Sequence, residues 1–191
     1  MTRASNVYTP RYLEDINPED KELTEEKWRG SLQQGERFEN FIREWLIERD
    51  IEAWKPADKS YDIRMNIEVP LYGNLHLTAE CKTDTTAQMT GNLAIQVFDS
   101  GKPSGIHKDG PCPDIWFHST GKEFWVIRTS LLRSICKTHN STWGSKVMGM
   151  GDRQSGAAGI LMPISVAKKA VGGEWFPLKE TTEYTGKRVA V

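Results

Sequence analysis

Polar side chains alternate with small or apolar ones in the stretch TAECKTD, residues 78–84. In a β-strand, this period of two places every second residue on the same face. That face would carry four polar side chains: Thr78, Glu80, Lys82 and Asp84. A carboxylate and an ammonium placed in this way suit metal-dependent cleavage of a phosphodiester bond. The triplet E-x-K is equally compatible with a salt bridge on a solvated face.

A second carboxylate comes from the segment YDIRMNIEV, which alternates in the same way and carries Asp62 on its polar face. The loop PLYGN joins this segment to the next strand, which predicts a β-hairpin. If Val69 pairs with Leu75, Asp62 lies opposite Lys82 and about 7–8 Å from its diagonal neighbour Glu80. The two carboxylates could then supply oxygen ligands to Mg²⁺. The role of Lys82 would be to orient or deprotonate the attacking water, or to stabilise the phosphorus centre.

An amphipathic helix precedes the hairpin. The stretch SLQQGERFENFIREWLIERD has its apolar residues at helical spacing: Phe38, Phe41, Ile42, Trp45 and Leu46. Glu39 lies on or beside this apolar stripe, so its carboxylate needs a partner. The helix alone favours a surface role, in which Glu39 extends to water or pairs with Arg43 one turn later.

The combination of GERFE on the helix, YD at the start of one strand and ECK in the next resembles the PD-(D/E)XK nuclease superfamily. The stretches TGNLAIQV, GKPSGI, PDIWFH, EFWVIRTSLLRSI and GILMPIS extend the likeness to small phage and bacterial members close to Holliday-junction resolvases. The resemblance covers roughly residues 31–166. It implies an α/β fold with a restriction-endonuclease-like core, in which helices flank a central mixed β-sheet.

The resemblance also implies roles for individual residues. Asp62 and Glu80 would bind Mg²⁺ or Mn²⁺, Lys82 would be the catalytic lysine, and Glu39 would be an accessory acid near the metal. Tyr61 occupies the position of the Pro in the motif PD-(D/E)XK, and this Pro has no chemical role in the family. Several relatives have an acidic residue at the position of Gln96, so Gln96 either binds phosphate or water or is a polar residue without a role.

The same likeness implies that the partner is DNA. One hypothesis is a structure-specific endonuclease of recombination or repair that cuts branched DNA as a homodimer. An exonuclease or flap nuclease, and a non-catalytic DNA-binding protein with the same fold, remain as alternatives. The Gly- and Pro-rich stretch DSGKPSGIHKDGPCPD would contact DNA phosphates through Lys102 and Lys108, or would be an inert connector.

Length and composition predict one domain, residues 28–191, after an N-terminal arm, residues 1–27, in a chain of 191 residues. No apolar run suggests a membrane span or a signal peptide, so we expect a cytoplasmic protein. The three cysteines have no paired spacing, which predicts free thiols. Residues 100–155 contain more Lys and Arg than Asp and Glu, whereas residues 1–60 contain fewer. This bias favours a polyanion near the later segment, or simply solvated loops.

The rest of the chain predicts strands at DIWFHS and KEFWVI, a helix up to residue 139, and a last apolar strand ILMPI. The glycine-rich stretch before ILMPI is expected to be a mobile loop near the substrate. A zinc site is a weaker alternative centre, since four further residues have suitable ligand atoms: Cys112, His118, Cys136 and His139.

Overall fold

The computed structural model describes residues 25–58, 60–99, 102–107, 111–139, 147–150, 157–169 and 172–178. In chain order, its elements are α1 (Glu25–Ile47), β1 (Glu52–Trp54), β2 (Ile63–Val69), β3 (Gly73–Thr83), α2 (Ala87–Thr90), β4 (Asn92–Asp99), β5 (Lys102–Pro103), a 3-10 turn (Gly105–His107), β6 (Ile115–Ser119), β7 (Glu123–Arg128), α3 (Thr129–His139), β8 (Val147–Met150), β9 (Ala157–Pro163), α4 (Ile164–Ala167) and β10 (Gly173–Pro177). The protein is therefore an α/β protein.

The described strands form two sheets. The larger sheet has six strands in the order β1-β2-β3-β6-β7-β10, and the smaller has four in the order β5-β4-β9-β8. In the larger sheet β3 and β6 are parallel, whereas the other neighbouring strands are antiparallel. The central sheet is therefore mixed and flanked by helices, which confirms the predicted fold class.

Helix α1 covers one face of the central sheet. The buried side chains of Phe38, Ile42 and Leu46 pack against a cluster that includes Ala79 of β3 and Phe124 of β7. Burial of each large apolar side chain contributes about 1.5–3 kcal/mol to stability. The amphipathic spacing therefore predicted the correct face. The helix begins at Glu25, inside the segment assigned to the arm, and residues 1–24 lie outside the described residues.

The smaller sheet and α3 cover the opposite face. Leu93 and Ile95 of β4 join Trp116 of β6, Ile127 of β7 and Leu132 of α3 in a second buried cluster. Strand β7 thus contributes Phe124 to the first cluster and Ile127 to the second, because successive side chains of a strand point to opposite faces of the sheet. The polar face of β3 lies on the side covered by the smaller sheet.

The hairpin of β2 and β3 forms with a different register from the predicted one. Val69 pairs with Gly73 instead of Leu75, and Ile63 pairs with Ala79. The loop is shorter than expected because Leu71 takes a left-handed backbone conformation, with φ 72°, and the Tyr72 N–H donates to the Val69 carbonyl at 3.0 Å. A shift by two residues leaves each side chain on its predicted face.

The later elements agree with the predicted strands at residues 115–119 and 123–128 and with the helix that follows them. Part of the expected glycine-rich loop is strand β8, which pairs with β9, while residues 151–156 lie outside the described residues. The strand ILMPI is not the last one, since β10 follows and pairs with β7. Within the described residues, no helix has the length and apolar character needed to cross a membrane.

Candidate active site

Of the four polar residues predicted to share a face, three lie on β3 and Asp84 follows it directly, and they form two pairs. Thr78, at one end, donates its backbone N–H and its hydroxyl to Asp114, each at 2.9 Å. Asp84, at the other end, accepts the Ala94 N–H at 2.9 Å and thereby links the end of β3 to β4. These outer two side chains hold neighbouring segments in place. The inner two, Glu80 and Lys82, line a cavity.

Glu80 and Lys82 form an ion pair, with 2.5 Å between Oε1 and Nζ. The Glu80 side chain is 24% exposed and that of Lys82 is 36% exposed. Burial acts to lower the pKa of Lys82, but the charge and hydrogen bond of Glu80, together with the charge of Asp62, outweigh it and raise that pKa. Lys82 is therefore an ammonium at neutral pH. Of its predicted roles, this state fits orientation and charge stabilisation better than proton abstraction.

Asp62 lies immediately before β2, next to Glu80. Its N–H donates to the Ala79 carbonyl at 3.2 Å, which continues the hairpin ladder by one residue. Its Oδ2 accepts the backbone N–H of Cys81 at 2.7 Å. Burial and the charge of Glu80 raise the pKa of Asp62 to about 6, against the Cys81 hydrogen bond and the Lys82 charge. The predicted convergence of Asp62, Glu80 and Lys82 is thus found, although Asp62 lies beside Glu80 instead of opposite Lys82.

The two carboxylates supply part of the ligand set that a divalent cation needs. Asp62 uses Oδ2 for Cys81 and Glu80 uses Oε1 for Lys82, and the second oxygen of each has no hydrogen-bond partner among the described residues. Two such oxygens suit Mg²⁺, which keeps several waters and binds through one or two carboxylates plus substrate phosphate. A set of three or more His, Cys, Asp and Glu side chains able to hold a metal ion does not occur in the described part of the chain.

Glu39, the third predicted acid, faces Lys55. Its Oε2 lies 2.6 Å from the Lys55 Nζ, so the ion-pair partner is Lys55 and not Arg43. The hydrogen bond to Glu39 is the largest cause of the raised pKa of Lys55, and the charges of Glu36 and Asp62 act in the same direction. The charge of Glu39 also contributes to the raised pKa of Asp62. Glu39 therefore influences the site electrostatically, and its role as a metal ligand stays a prediction.

The cavity beside Glu80 and Lys82 has a volume of about 240 Å³ and is bounded by both sheets. Gln96 of β4 lines it together with Ser104 and Gly105. The Gln96 amide nitrogen lies 3.4 Å from the Ser104 hydroxyl and 3.5 Å from the Phe98 carbonyl oxygen. The structure thus brings Gln96 to the same cavity as Glu80 and Lys82.

The structure describes only one of the two lysines that were predicted to contact DNA phosphates. Lys102 lies on the short exposed strand β5, where it pairs with Asp99, and it is not among the residues that line the cavity. Lys108 lies outside the described residues. Their contact with DNA stays a prediction.

Sequence reasoning missed part of the cavity wall. Trp116, expected only as a core residue, is 1% exposed and still borders the cavity, because the parallel register of β3 and β6 places it beside Glu80. Tyr61 and Ser60 border it as well. Their position directly before Asp62 was the one available signal.

His118 is buried beside Lys82 in the same parallel register. Its Nδ1 accepts the indole N–H of Trp116 at 3.3 Å. Burial lowers the pKa of His118 to about 4, against the carboxylate of Asp84 and together with the ammonium of Lys82. The ring is therefore neutral and held in the interior. Since the described residues include no metal-binding group of three, nothing in them supports the zinc alternative.

Comparison of the chain with protein-family models, with curated proteins and with solved structures found no match.

Proposed function

We propose that this chain is a metal-dependent deoxyribonuclease that hydrolyses phosphodiester bonds. The observation that carries the proposal is that Asp62, immediately before β2, lies beside Glu80 and Lys82 of β3, and that Glu80 and Lys82 line one cavity. The charge of Glu80 contributes to the raised pKa of Asp62, and a divalent cation bound by both carboxylates would offset this repulsion. A site of this composition is suited to Mg²⁺ or Mn²⁺ and to a phosphate group.

The order of the elements supports the same proposal. Helix α1 carries Glu39, the hairpin that follows carries Asp62 before β2, and β3 carries the triplet from Glu80 to Lys82. This is the arrangement on which the resemblance to the PD-(D/E)XK superfamily rests. The fold alone would be a weak argument, because unrelated functions share folds. The proposal therefore rests on the side chains.

In the proposed reaction, water adds to phosphorus and the bond to one sugar oxygen breaks, while a water proton ends on the leaving oxygen. A divalent ion held by Asp62 and Glu80 would lower the pKa of the attacking water and neutralise charge on the phosphate. The Lys82 ammonium, oriented by Glu80 at 2.5 Å, stabilises the charge that develops on the phosphoryl oxygens. The Cys81 N–H holds Asp62 at 2.7 Å and so fixes the direction of its other oxygen.

The substrate we propose is branched DNA. A symmetric four-way junction has two equivalent scissile phosphates, which a homodimer with two-fold symmetry would meet with two equivalent sites. Cleavage of a supercoiled plasmid, a linear duplex and a synthetic junction, each with and without Mg²⁺, distinguishes this endonuclease from an exonuclease or flap nuclease. A non-catalytic DNA-binding protein would cut none of the three.

The decisive variants are Glu80→Gln and Asp62→Asn. Each should abolish Mg²⁺-stimulated cleavage and reduce the heat of Mn²⁺ binding in calorimetry, with the fold retained. A matched control is Glu123→Gln, because Glu123 also pairs with a lysine, Lys168, at 2.7 Å and has a similarly exposed side chain, 25%, outside this cavity. The control should cut normally. Full cleavage by Glu80→Gln at saturating metal would contradict the proposal.

A further inference from the structure

The cavity has the form of a pocket between two sheets. Glu80 and Lys82 of the central sheet line one side, and Gln96 of the smaller sheet lines another. Its volume is about 240 Å³. A base-paired duplex is far too wide to enter a pocket of this size. A single nucleotide of one strand is a suitable occupant.

The remaining walls suit the flat face of a base. Tyr61 is a half-buried aromatic residue, and Pro103 and Pro111 are exposed and rigid, whereas Trp116 borders the cavity but is itself buried. Bases stack on aromatic side chains, which is worth about 1–3 kcal/mol per base. A pocket for phosphate alone would be expected to have polar and cationic walls instead. The walls combine polar residues with Tyr61 and prolines, which favours an occupant that has a flat apolar face as well as a phosphate.

Gln96 and Ser104 provide polar atoms at the wall. The Gln96 amide nitrogen has contacts of 3.4 and 3.5 Å, which are at the long limit for hydrogen bonds and so are weak. The amide can therefore exchange these contacts for a ligand. A glutamine side chain presents one donor group and one acceptor, which matches the paired donor and acceptor of an adenine edge.

We infer that the pocket binds one unpaired base of the substrate, next to the phosphate held at Glu80 and Lys82. This inference rests on the proposed function and narrows its substrate class to DNA in which a nucleotide has left the duplex. Removing a base from the stack costs a few kcal/mol, and the cost is least where the base is already unpaired. The pocket would therefore select branch points, bulges and single-stranded ends over intact duplex.

The first test compares three substrates that differ at one position: a fully paired duplex, a duplex with one bulged adenine, and the same bulge with an abasic residue. Single-turnover cleavage in Mg²⁺ should be at least tenfold faster on the bulged adenine than on the other two. Equal rates on all three would overturn the inference and leave the nuclease proposal intact.

Two variants link the effect to the pocket. Gln96→Leu keeps a side chain of similar size but removes the donor and acceptor, and Ser104→Leu fills the space. Both should remove the preference for the bulged adenine, while Mn²⁺ binding remains. The matched control is Gln88→Leu, because Gln88 donates to the Thr120 hydroxyl at 2.8 Å and does not line this cavity. Retention of the full preference in Gln96→Leu and Ser104→Leu would overturn the inference.

A binding test does not depend on cleavage. Deoxyadenosine 5′-monophosphate, titrated in Ca²⁺ and followed by tryptophan fluorescence, should bind at least tenfold more tightly than 2-deoxyribose 5-phosphate. If no DNA is cut but this difference is found, the function proposal fails and the pocket assignment stands. If the two ligands bind equally, the pocket assignment fails whatever the cleavage result.

Discussion

Glu39 Oε2 and Lys55 Nζ lie 2.6 Å apart and connect helix α1 to the segment that follows β1. Glu39 would thus act on the site through a cation whose own pKa responds to Asp62. Glu39→Gln leaves Lys55 without its partner near the carboxylates. We expect Mn²⁺ affinity to fall about 10-fold, less than in Glu80→Gln, which is at the low end for residues that act on a metal indirectly.

The double variant Glu39→Gln/Lys55→Met separates the two roles of Glu39. If Glu39 acts by balancing the charge of Lys55, removal of both should restore most of the Mn²⁺ affinity in calorimetry. If Glu39 binds metal directly, the double variant should be as weak as Glu39→Gln. An unchanged affinity in Glu39→Gln would mean that the acid has no role at the site.

Asp62 should make the metal-free protein less stable as the pH rises. Its pKa is raised from 3.8 to about 6, so the folded state binds the proton more tightly than the unfolded state does. The stability linked to this proton is fully present below pH 3.8 and is lost as the pH rises through about 6. Asp62→Asn keeps an acceptor for the Cys81 N–H, so it should raise the free energy of unfolding at pH 8 by about 1–3 kcal/mol.

Urea unfolding in the presence of a chelator measures this effect. The difference between Asp62→Asn and the wild type should widen from pH 4 to pH 7 and stay constant above. Saturating Mn²⁺ should reverse the order at pH 8, since a ligand that binds the folded state stabilises it. A difference that is independent of pH would show that Asp62 ionises normally in the folded protein.

Lys82→Met should separate catalysis from DNA binding. The variant loses the ammonium beside Glu80 but retains the cationic residues elsewhere, so the single-turnover rate in Mg²⁺ should fall by orders of magnitude. DNA affinity, measured by fluorescence anisotropy in Ca²⁺, should change little. Loss of binding with an unchanged rate would make Lys82 a phosphate anchor instead.

In contrast to Lys82→Met, the combined change of Lys102 and Lys108 to Ala should weaken DNA binding and leave the cleavage rate almost unchanged. Each lost phosphate contact lowers the slope of log K against log salt by roughly 0.9 for duplex DNA, so binding should weaken and depend less on salt. The single-turnover rate at saturating protein should stay close to that of the wild type. An unchanged salt slope would exclude both lysines from the DNA contact.

Gly105 allows the turn after β5 to lie directly on β4. A Cβ at this position would overlap the carbonyl oxygen of Gln96, and the backbone has φ +54°. Gly121 is a matched control, since it has φ +88° and nothing within 4 Å of its Cβ position. Gly105→Ala should therefore lower the unfolding free energy by about 1–3 kcal/mol more than Gly121→Ala does. It should also slow cleavage, because the wall formed by Gln96 must move. Equal effects of the two substitutions in thermal and urea unfolding would mean that the turn adapts freely.

Local periodicity predicted the elements that carry the site but not the cavity that they border. The period of two in β2 and β3 placed Asp62 and Glu80 on one face, and this holds although the register differs by two residues. The register depends on the left-handed backbone conformation of Leu71, and a leucine in the sequence does not predict this conformation. Trp116 and Gln96 reach the cavity through strand pairings between distant segments, and no local pattern encodes such pairings.

The pairing of β4 with β9 has a consequence for how the protein folds. Gln96 lies opposite Gly159, roughly sixty residues further along the chain, whereas Asp62 and Glu80 belong to one hairpin. Hairpins close in about 1–10 μs, and contacts between distant segments form more slowly. We therefore expect the carboxylates to come together early, while the opposite wall forms only when the later strands have joined. A folding intermediate would then contain the charged groups before the cavity that selects their substrate has formed.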